Sequence, residues 1–230
     1  MSILNLFIGP EKALLAVDTE GLLPDGSKAS VSKMYALPHI HAVMGFRGHT
    51  LLMNCVYNSF SLIKIDSFDD FLEVIPKSWP GTFKAACDVA KQIRLDRSLI
   101  ASMELVVVGW SQKRECLFGR EFYQNTVAEG LVAKDIVDPY MAPWDESIAS
   151  FRPFNVFEME RLARLQVQLL HEKAPGHPGG GRLIVCEMAP GAMLIRAACN
   201  LESEPVPVAK RSQLASCGIF PPLPGRGAAQ

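Results

Sequence analysis

Short apolar runs alternate with stretches of helical spacing along this 230-residue chain. Apolar runs bounded by turn formers predict strands, and apolar residues three and four apart predict helices. The apolar runs at residues 3–8 and 13–17 flank a Gly-Pro-Glu turn at residues 9–11, which predicts a hairpin. The second run is unbroken, so we expect it to be buried on both faces. Residues 2–48 as a whole predict four short strands.

Three helices are predicted after these strands. Thr50 is expected to cap the first, which runs to about residue 64 because its apolar residues keep helical spacing. Ser67 begins a capping-box-like sequence and predicts a short second helix that ends at Pro80. The third and longer helix is expected to begin at Thr82.

The second half of the chain returns to strands. It predicts a hairpin over residues 104–118, an amphipathic helix over residues 156–173 capped by Asn155, and another hairpin over residues 183–198. Residues 121–150 show no clear period. The helices come in a group and do not follow each strand, which indicates an α+β fold with antiparallel sheets and argues against a doubly wound parallel sheet.

The last stretch of the chain differs in composition from the rest. Residues 202–230 contain five prolines and have no hydrophobic period. We therefore expect one domain over residues 1–201, which is long enough to bury a core. A Pro/Gly-rich tail over residues 202–230, extended or disordered, is expected to follow it.

Charge and apolar run length exclude some classes of partner. The formal net charge is −1, so there is no electrostatic case for binding nucleic acid or a membrane surface. The longest apolar runs are too short to span a bilayer, and no basic segment followed by an apolar one resembles a secretion signal. The expected location is the cytoplasm.

Cysteine and histidine usage gives no sign of a metal site. The six cysteines are scattered without a Cys-x-x-Cys pair, so we expect reduced and mostly buried thiols, not a disulfide framework. His39 and His41 share one face of a strand, but no third ligand is evident. Neither a metal nor an organic cofactor is therefore expected.

The second residue of the chain offers a candidate nucleophile. Ser2 follows the initiator Met, and small second residues generally permit its removal. If Met1 is removed, the Ser2 hydroxyl and its α-amine lie on one carbon skeleton, so the amine can act as the base that a serine nucleophile needs. An α-amine has a pKa of about 7.7–8.0, which leaves a useful neutral fraction.

Four features of the first fifty residues together resemble the proteasome β-subunit superfamily of N-terminal-nucleophile hydrolases. They are Ser2, Asp18 after an apolar strand, Lys33, and the run at residues 40–48 that ends in Gly-Phe-Arg-Gly. The likeness is strongest to the proteolytic core subunit of the bacterial two-component, ATP-dependent protease, and it covers roughly residues 2–120. Further matches at family spacing are Lys84, Ala85, Ala86, Ala90, Lys91, Arg94, Asp96 and Arg97.

The resemblance implies a fold and a reaction. The fold is a four-layer αββα sandwich of two antiparallel sheets between helical layers, and the reaction is peptide or amide hydrolysis. Ser2 would be the nucleophile, Lys33 would favour its alkoxide form, and Asp18 would hold Lys33 charged and in place. The backbone N–H of Gly45 would stabilise the oxyanion of the tetrahedral intermediate.

The resemblance also implies a pocket and partners. Arg47 and His49, near the same strand end, are predicted to line the substrate pocket. Arg47 stands where the family favours small residues, so it is expected either to select acidic groups or to obstruct the pocket. No cofactor is needed. The subunit is expected to form a homo-oligomeric ring or shell that acts on a peptide; an ATPase partner is possible, and the sequence does not name one.

Departures from the family pattern keep two alternatives open. The nucleophile position has Ser in place of Thr, and no downstream Ser-Gly motif is found; the nearest candidate, at residues 128–130, lacks the hydroxyl. The first alternative is a catalytically inactive subunit of the same fold that acts as an oligomeric scaffold. The second is a small-molecule amidase on the same fold.

Overall fold

The computed structural model describes residues 2–22, 27–137, 139–173 and 179–202. Its strands are β1 Leu4–Ile8, β2 Ala13–Asp18, β3 Glu20–Leu22, β4 Lys28–Ser30, β5 Met34–Leu37, β6 Ala42–Gly48, β7 Met103–Ser111, β8 Cys116–Gln124, β9 Val132–Asp135, β10 Tyr140–Ala142, β11 Arg182–Ala189 and β12 Ala192–Asn200. Its α-helices are α1 Thr50–Ser61, α2 Phe68–Gln92, α3 Ser98–Ala101 and α4 Val156–Lys173.

The strands form two five-stranded antiparallel sheets and one small hairpin. The first sheet has the order β10-β1-β2-β11-β12, and the second has the order β5-β6-β7-β8-β9. The predicted β1–β2 hairpin is confirmed, with Leu4 opposite Val17 and Ile8 opposite Ala13. Every residue of β2 is buried, as the unbroken apolar run predicts.

The prediction of four strands over residues 2–48 is wrong, because the described part of that segment contains six. The additional pair is β3 and β4, which form the small two-stranded hairpin. Each is three residues long, and so short a strand carries no readable alternation of polar and apolar residues.

Helices pack on each sheet, and apolar residues fill the space between the sheets. Helices α1 and α2 pack on the second sheet in one cluster of buried residues, which includes Phe46, Phe60, Phe71, Ile75 and Leu105. Helix α4 packs on the first sheet in another, which includes Leu14, Leu162, Val167 and Val185. A third cluster joins residues of both sheets, among them Leu4, Leu15, Val43 and Val106.

Two helix predictions are corrected. His49, not Thr50, is the N-cap of α1, since its side chain accepts the N–H of Leu51. The two helices predicted on either side of Pro80 are one helix, α2, which contains both Pro76 and Pro80. Both prolines are exposed, so their rings lie on the solvent side of the helix and its buried face stays continuous.

Other expectations agree with the structure. Asn155 caps α4, because its side chain accepts the N–H of Glu158 at 3.0 Å. Both later hairpins form, as β7–β8 and β11–β12. Five cysteines in the described part are free thiols, and Cys217 lies outside that part. The expectation that the thiols are mostly buried is wrong, because only Cys87 and Cys186 are buried among those five.

Two further predictions concern parts of the chain that the structure leaves largely undescribed. The predicted tail over residues 202–230 lies outside the described residues apart from Glu202. The boundary of a single domain at residue 201 therefore stays a prediction. None of the helices in the described ranges is both long and apolar enough to cross a membrane.

Candidate functional site

The side chain of Lys33 joins the predicted site residues at one point. Its Nζ lies 2.8 Å from the Oγ of Ser2 and 2.9 Å from each carboxylate oxygen of Asp18. It also donates to the main-chain carbonyl of Glu20. The amine therefore has four oxygen neighbours, which come from three residues in two separate chain segments.

The β1–β2 hairpin explains why Ser2 and Asp18 meet. The register pairs Leu4 with Val17, so one step further Ile3 lies opposite Asp18 at the end of β2. The N–H of Ile3 donates to Asp18 Oδ1 at 2.8 Å, which fixes the backbone next to Ser2. The chemistry of the site is therefore set at a strand end, where the hairpin delivers both side chains.

Lys33 reaches the same point from the other sheet. It directly precedes β5, and its carbonyl accepts the N–H of Phe46 at 2.9 Å, which extends the β5–β6 ladder by one pair. Its side chain is 6% exposed, so the amine is held in the gap between the two sheets.

A glycine segment at residues 179–181 also contacts the site. The N–H of Gly180 donates to Asp18 Oδ2 at 3.3 Å, and the N–H of Gly179 donates to Glu20 Oε1 at 3.3 Å. Both glycines lie between α4 and β11, beside residues that the structure does not describe. Glycine runs occur in many kinds of loop, so the sequence does not indicate which groups these glycines contact.

Burial changes the acid–base properties of Asp18 and Lys33. Asp18 is fully buried, and loss of water raises the pKa of its carboxyl against the opposing attraction of Lys33. Burial likewise lowers the pKa of the Lys33 amine, against the attraction of Asp18. Lys33 therefore releases a proton more readily than a solvated lysine does.

The position of Gly45 does not favour its predicted role. Neighbouring residues of a central antiparallel strand direct their N–H groups to opposite sides. Because the N–H of Phe46 points to Lys33, that of Gly45 points to β7, where Gly45 pairs with Val106. A Cβ on Gly45 would lie 2.5 Å from Leu4 Cδ1, so this glycine allows close packing of the sheets. Its part as an oxyanion donor stays a prediction.

Arg47 belongs to a second charged cluster, which is close enough to Lys33 to lower the pKa of that amine. Its guanidinium pairs with Glu104, which also accepts the hydroxyl of Tyr140. Burial and the nearby Glu104 raise the pKa of Glu121 in the same cluster. Since Glu104 already neutralises Arg47, the geometry does not favour selection of acidic substrate groups by Arg47.

His49 has a structural contact. Its Nδ1 accepts the N–H of Leu51 at 3.2 Å, which caps α1. Burial lowers the pKa of the imidazole, so the neutral form that can accept this hydrogen bond is favoured. A role in a substrate pocket stays a prediction.

Similarity to known proteins is found at the level of structure. No protein-family model matches the sequence, and it has no match among curated proteins. Anbu from Yersinia bercovieri, described as an ancestral β-subunit, has a TM-score of 0.59 and 9% identity, with 89% of each chain covered. A mutant of Anbu from Hyphomicrobium sp. strain MC1 has a TM-score of 0.57 and 9% identity, with 86% of this chain and 87% of that chain covered.

These similarities define a fold. The chain has the mixed α/β fold of the Anbu structures, over most of the length of each protein. The resemblance to the proteasome and N-terminal-nucleophile superfamily, and to one bacterial protease subunit within it, stays a prediction. At 9% identity the fold is what is shared, and activity has to be argued from the site.

Proposed function

We propose that this protein is a proteasome-like amide hydrolase that uses Ser2 as an N-terminal nucleophile after removal of Met1. The observation that carries the proposal is the position of Lys33 Nζ, 2.8 Å from Ser2 Oγ and 2.9 Å from both oxygens of Asp18. Three residues chosen from sequence for this chemistry lie in direct contact, although Ser2 and Lys33 are far apart in the chain. A serine at an unrelated N-terminus has no reason to meet a buried Lys–Asp pair.

The reaction follows from the groups at Ser2. Its Oγ attacks an amide carbon and gives its proton to the α-amine freed by loss of Met1. The C–N bond then breaks, the leaving amine takes that proton, and an acyl ester on Ser2 remains for water to hydrolyse. Lys33 lies within hydrogen-bond distance of Oγ, so as an ammonium it stabilises negative charge there.

The proposal extends to architecture and assembly. The proposed architecture is a four-layer αββα sandwich with the Ser2 site at one end of the space between the sheets, and the packing of α1 and α2 on one sheet and of α4 on the other supports it. The proposed protein is a cytoplasmic homo-oligomer, a ring or shell, with a peptide as substrate. Support comes from the fold shared with a protein described as an ancestral β-subunit. Native mass spectrometry tests the assembly: we expect a closed oligomer, and a monomer at micromolar concentration would contradict it.

One set of observations favours the inactive scaffold as a second candidate. The N–H of Gly45 points into the sheet, and Arg47 fills space near Lys33. No oxyanion donor is therefore assigned, and one such donor is typically worth about 3–4 kcal/mol in the transition state. A subunit without it retains the fold and loses most of the rate.

Intact mass of the native-sequence protein separates the two candidates. The protein is measured before and after treatment with a serine-reactive acylating probe, beside a Ser2→Ala variant and a Ser32→Ala control. Ser32 is exposed, and its hydroxyl donates to the nearby carbonyl of Met34. The hydrolase predicts loss of Met1 and one adduct that Ser2→Ala abolishes and Ser32→Ala keeps. A retained Met1 with no adduct would leave the scaffold.

A further inference from the structure

Glu20 is a buried carboxylate beside the site that has no role in the reaction just described. It is 4% exposed, and its main-chain carbonyl accepts a hydrogen bond from Lys33. Its side chain is held at both oxygens: Oε2 accepts Lys28 Nζ at 2.9 Å, and Oε1 accepts the N–H of Gly179 at 3.3 Å. Glu20, the first residue of β3, therefore contacts Lys28 on β4, the amine of Lys33 and the glycine segment.

The glycine segment lies against Thr19 and Glu20 too closely for other residues. A Cβ on Gly180 would lie 3.0 Å from Glu20 Oε2, and one on Gly181 would lie 2.8 Å from Thr19 Oγ1. Gly181 also has a φ of +68°, which glycine adopts most easily. The N–H of Arg182 donates to Thr19 Oγ1 at 2.9 Å, so this contact continues into β11.

We propose that Glu20 is a positioning residue of the Ser2 site, which acts on Lys33 through its charge and through the glycine segment. Its carboxylate holds Gly179 in place, and the next residue, Gly180, donates to Asp18. The main-chain carbonyl of Glu20 is thereby held where it accepts the hydrogen bond from the Lys33 amine. The inference rests on the proposed function for its effect on catalysis, and its geometric part stands without it.

The charge of Glu20 gives this role a measurable sign. The charged groups that act on Lys33 are Asp18 and Glu20, which favour the ammonium, and Arg47, which disfavours it. Glu20 itself faces Lys28 and Glu202. Removal of the Glu20 charge takes away one of the two attractions that hold the proton on Lys33, so the pKa of Lys33 should fall further.

The first test measures the protonation of Lys33 directly and needs no activity. In full-length protein with ¹³C-labelled lysine, the Lys33 resonance is assigned by its loss in Lys33→Arg and is followed by NMR against pH. In Glu20→Gln, which keeps an acceptor for Gly179, we expect the Lys33 titration to move down by about half a pH unit or more. An unchanged titration would overturn the proposal.

Two further variants separate charge from geometry. Glu20→Asp keeps the charge and shortens the side chain, so it should largely keep the Lys33 titration but weaken protection of the Gly179 and Gly180 amides from hydrogen exchange. Glu187→Gln is the matched control, because it pairs with Leu14 at the far end of β2 from Asp18. Glu187→Gln should change neither the Lys33 titration nor the protection of the Gly179 and Gly180 amides. A shift of the Lys33 titration as large as in Glu20→Gln would contradict a specific role for Glu20.

The second test links Glu20 to catalysis. The rate of Ser2 acylation by the same probe is measured from pH 5 to 10 in wild type and Glu20→Gln, and the basic limb of the profile, where the Lys33 ammonium is lost, should move to lower pH in the variant. A uniform loss of rate without such a shift would mean a merely structural role. If wild-type Ser2 is never acylated, the proposed function fails, and the Lys33 titration still decides the role of Glu20.

Discussion

Two charged clusters lie near each other in this molecule, and they are built differently. Around Lys33, Asp18 is fully buried and accepts hydrogen bonds from the amine and from backbone N–H groups. Around Arg47, the partners Glu104 and Tyr140 are partly exposed, and the Nε of Arg47 is the one buried side-chain nitrogen or oxygen without a hydrogen-bond partner among the described residues.

The difference indicates which cluster is organised for chemistry. Charges leave water at a cost of several kcal/mol each, so a buried pair persists only where hydrogen bonds satisfy it. The Lys33 pair meets that condition and presents its amine to a hydroxyl, that of Ser2. The Arg47 cluster leaves one donor unpaired, and among the described residues its hydrogen bonds join Arg47, Glu104 and Tyr140 without reaching a candidate nucleophile. We therefore interpret Arg47 and Glu104 as a packing and electrostatic element beside the site.

The largest predicted effect is the loss of Lys33. Lys33→Met leaves Asp18 buried without its cation, so the free energy of unfolding should fall by about 3–5 kcal/mol in urea titrations. Lys113→Met is the control, because Lys113 forms a solvent-exposed pair with Glu73 and should change stability far less. Equal losses in the two variants would mean that the Lys33 pair is no better built than a surface pair.

The next effect concerns Gly45, which lies on β6 between the two clusters. In Gly45→Ala the new methyl group would meet Leu4 Cδ1 at 2.5 Å, so repacking should cost about 1–2 kcal/mol. Gly81→Ala in α2 is the control. A Cβ added at Gly81 would have no atom within 4 Å, and alanine should stabilise that helix by about 0.5–1 kcal/mol. Denaturant midpoints that move in the same direction for both variants would contradict the close contact of the sheets.

The smallest effect is a dependence on pH in the Arg47 cluster. The pKa of Glu121 is raised in the folded protein, so its ionised form costs stability above that pKa, and the cost disappears below its ordinary value of 4.5. Glu121→Gln should therefore stabilise the protein by a few tenths of a kcal/mol at pH 7, after allowance for partial exposure, and not at pH 4.

Glu73 supplies an internal comparison of opposite sign. Lys113 lowers the pKa of Glu73, so its stabilising effect is present above the ordinary value of 4.5 and is lost as the pH falls through the lowered pKa. Glu73→Gln should destabilise the protein at pH 7. Thermal midpoints of both variants at the two pH values check the signs, and the same sign for both at pH 7 would contradict this account.

Much of the fold was readable because the relevant signals are local. The two apolar runs around residues 9–11 specify the β1–β2 hairpin, and Asn155 marks the start of α4. The continuous α2 could not be read, because Pro76 and Pro80 break helices unless they lie on the exposed face, and that depends on tertiary packing. The three-residue strands β3 and β4 fall below the length at which a period is visible.

The candidate site divides in the same way. The meeting of Ser2, Asp18 and Lys33 was predicted from a family resemblance, and the hairpin register supplies its physical reason. The contacts of Gly179 and Gly180 could not be predicted, because they join segments about 160 residues apart through backbone N–H groups, which every residue type except proline has.

The most direct test of the central claim is the rate at which a serine-reactive probe acylates Ser2 in three proteins: wild type, Lys33→Met and Glu104→Gln, each checked for folding by circular dichroism. The account predicts a loss of about 100-fold or more in Lys33→Met, typical of removing a group that stabilises developing negative charge, and a rate near wild type in Glu104→Gln. Acylation of Ser2 that survives in folded Lys33→Met, or that falls as far in Glu104→Gln, would contradict it.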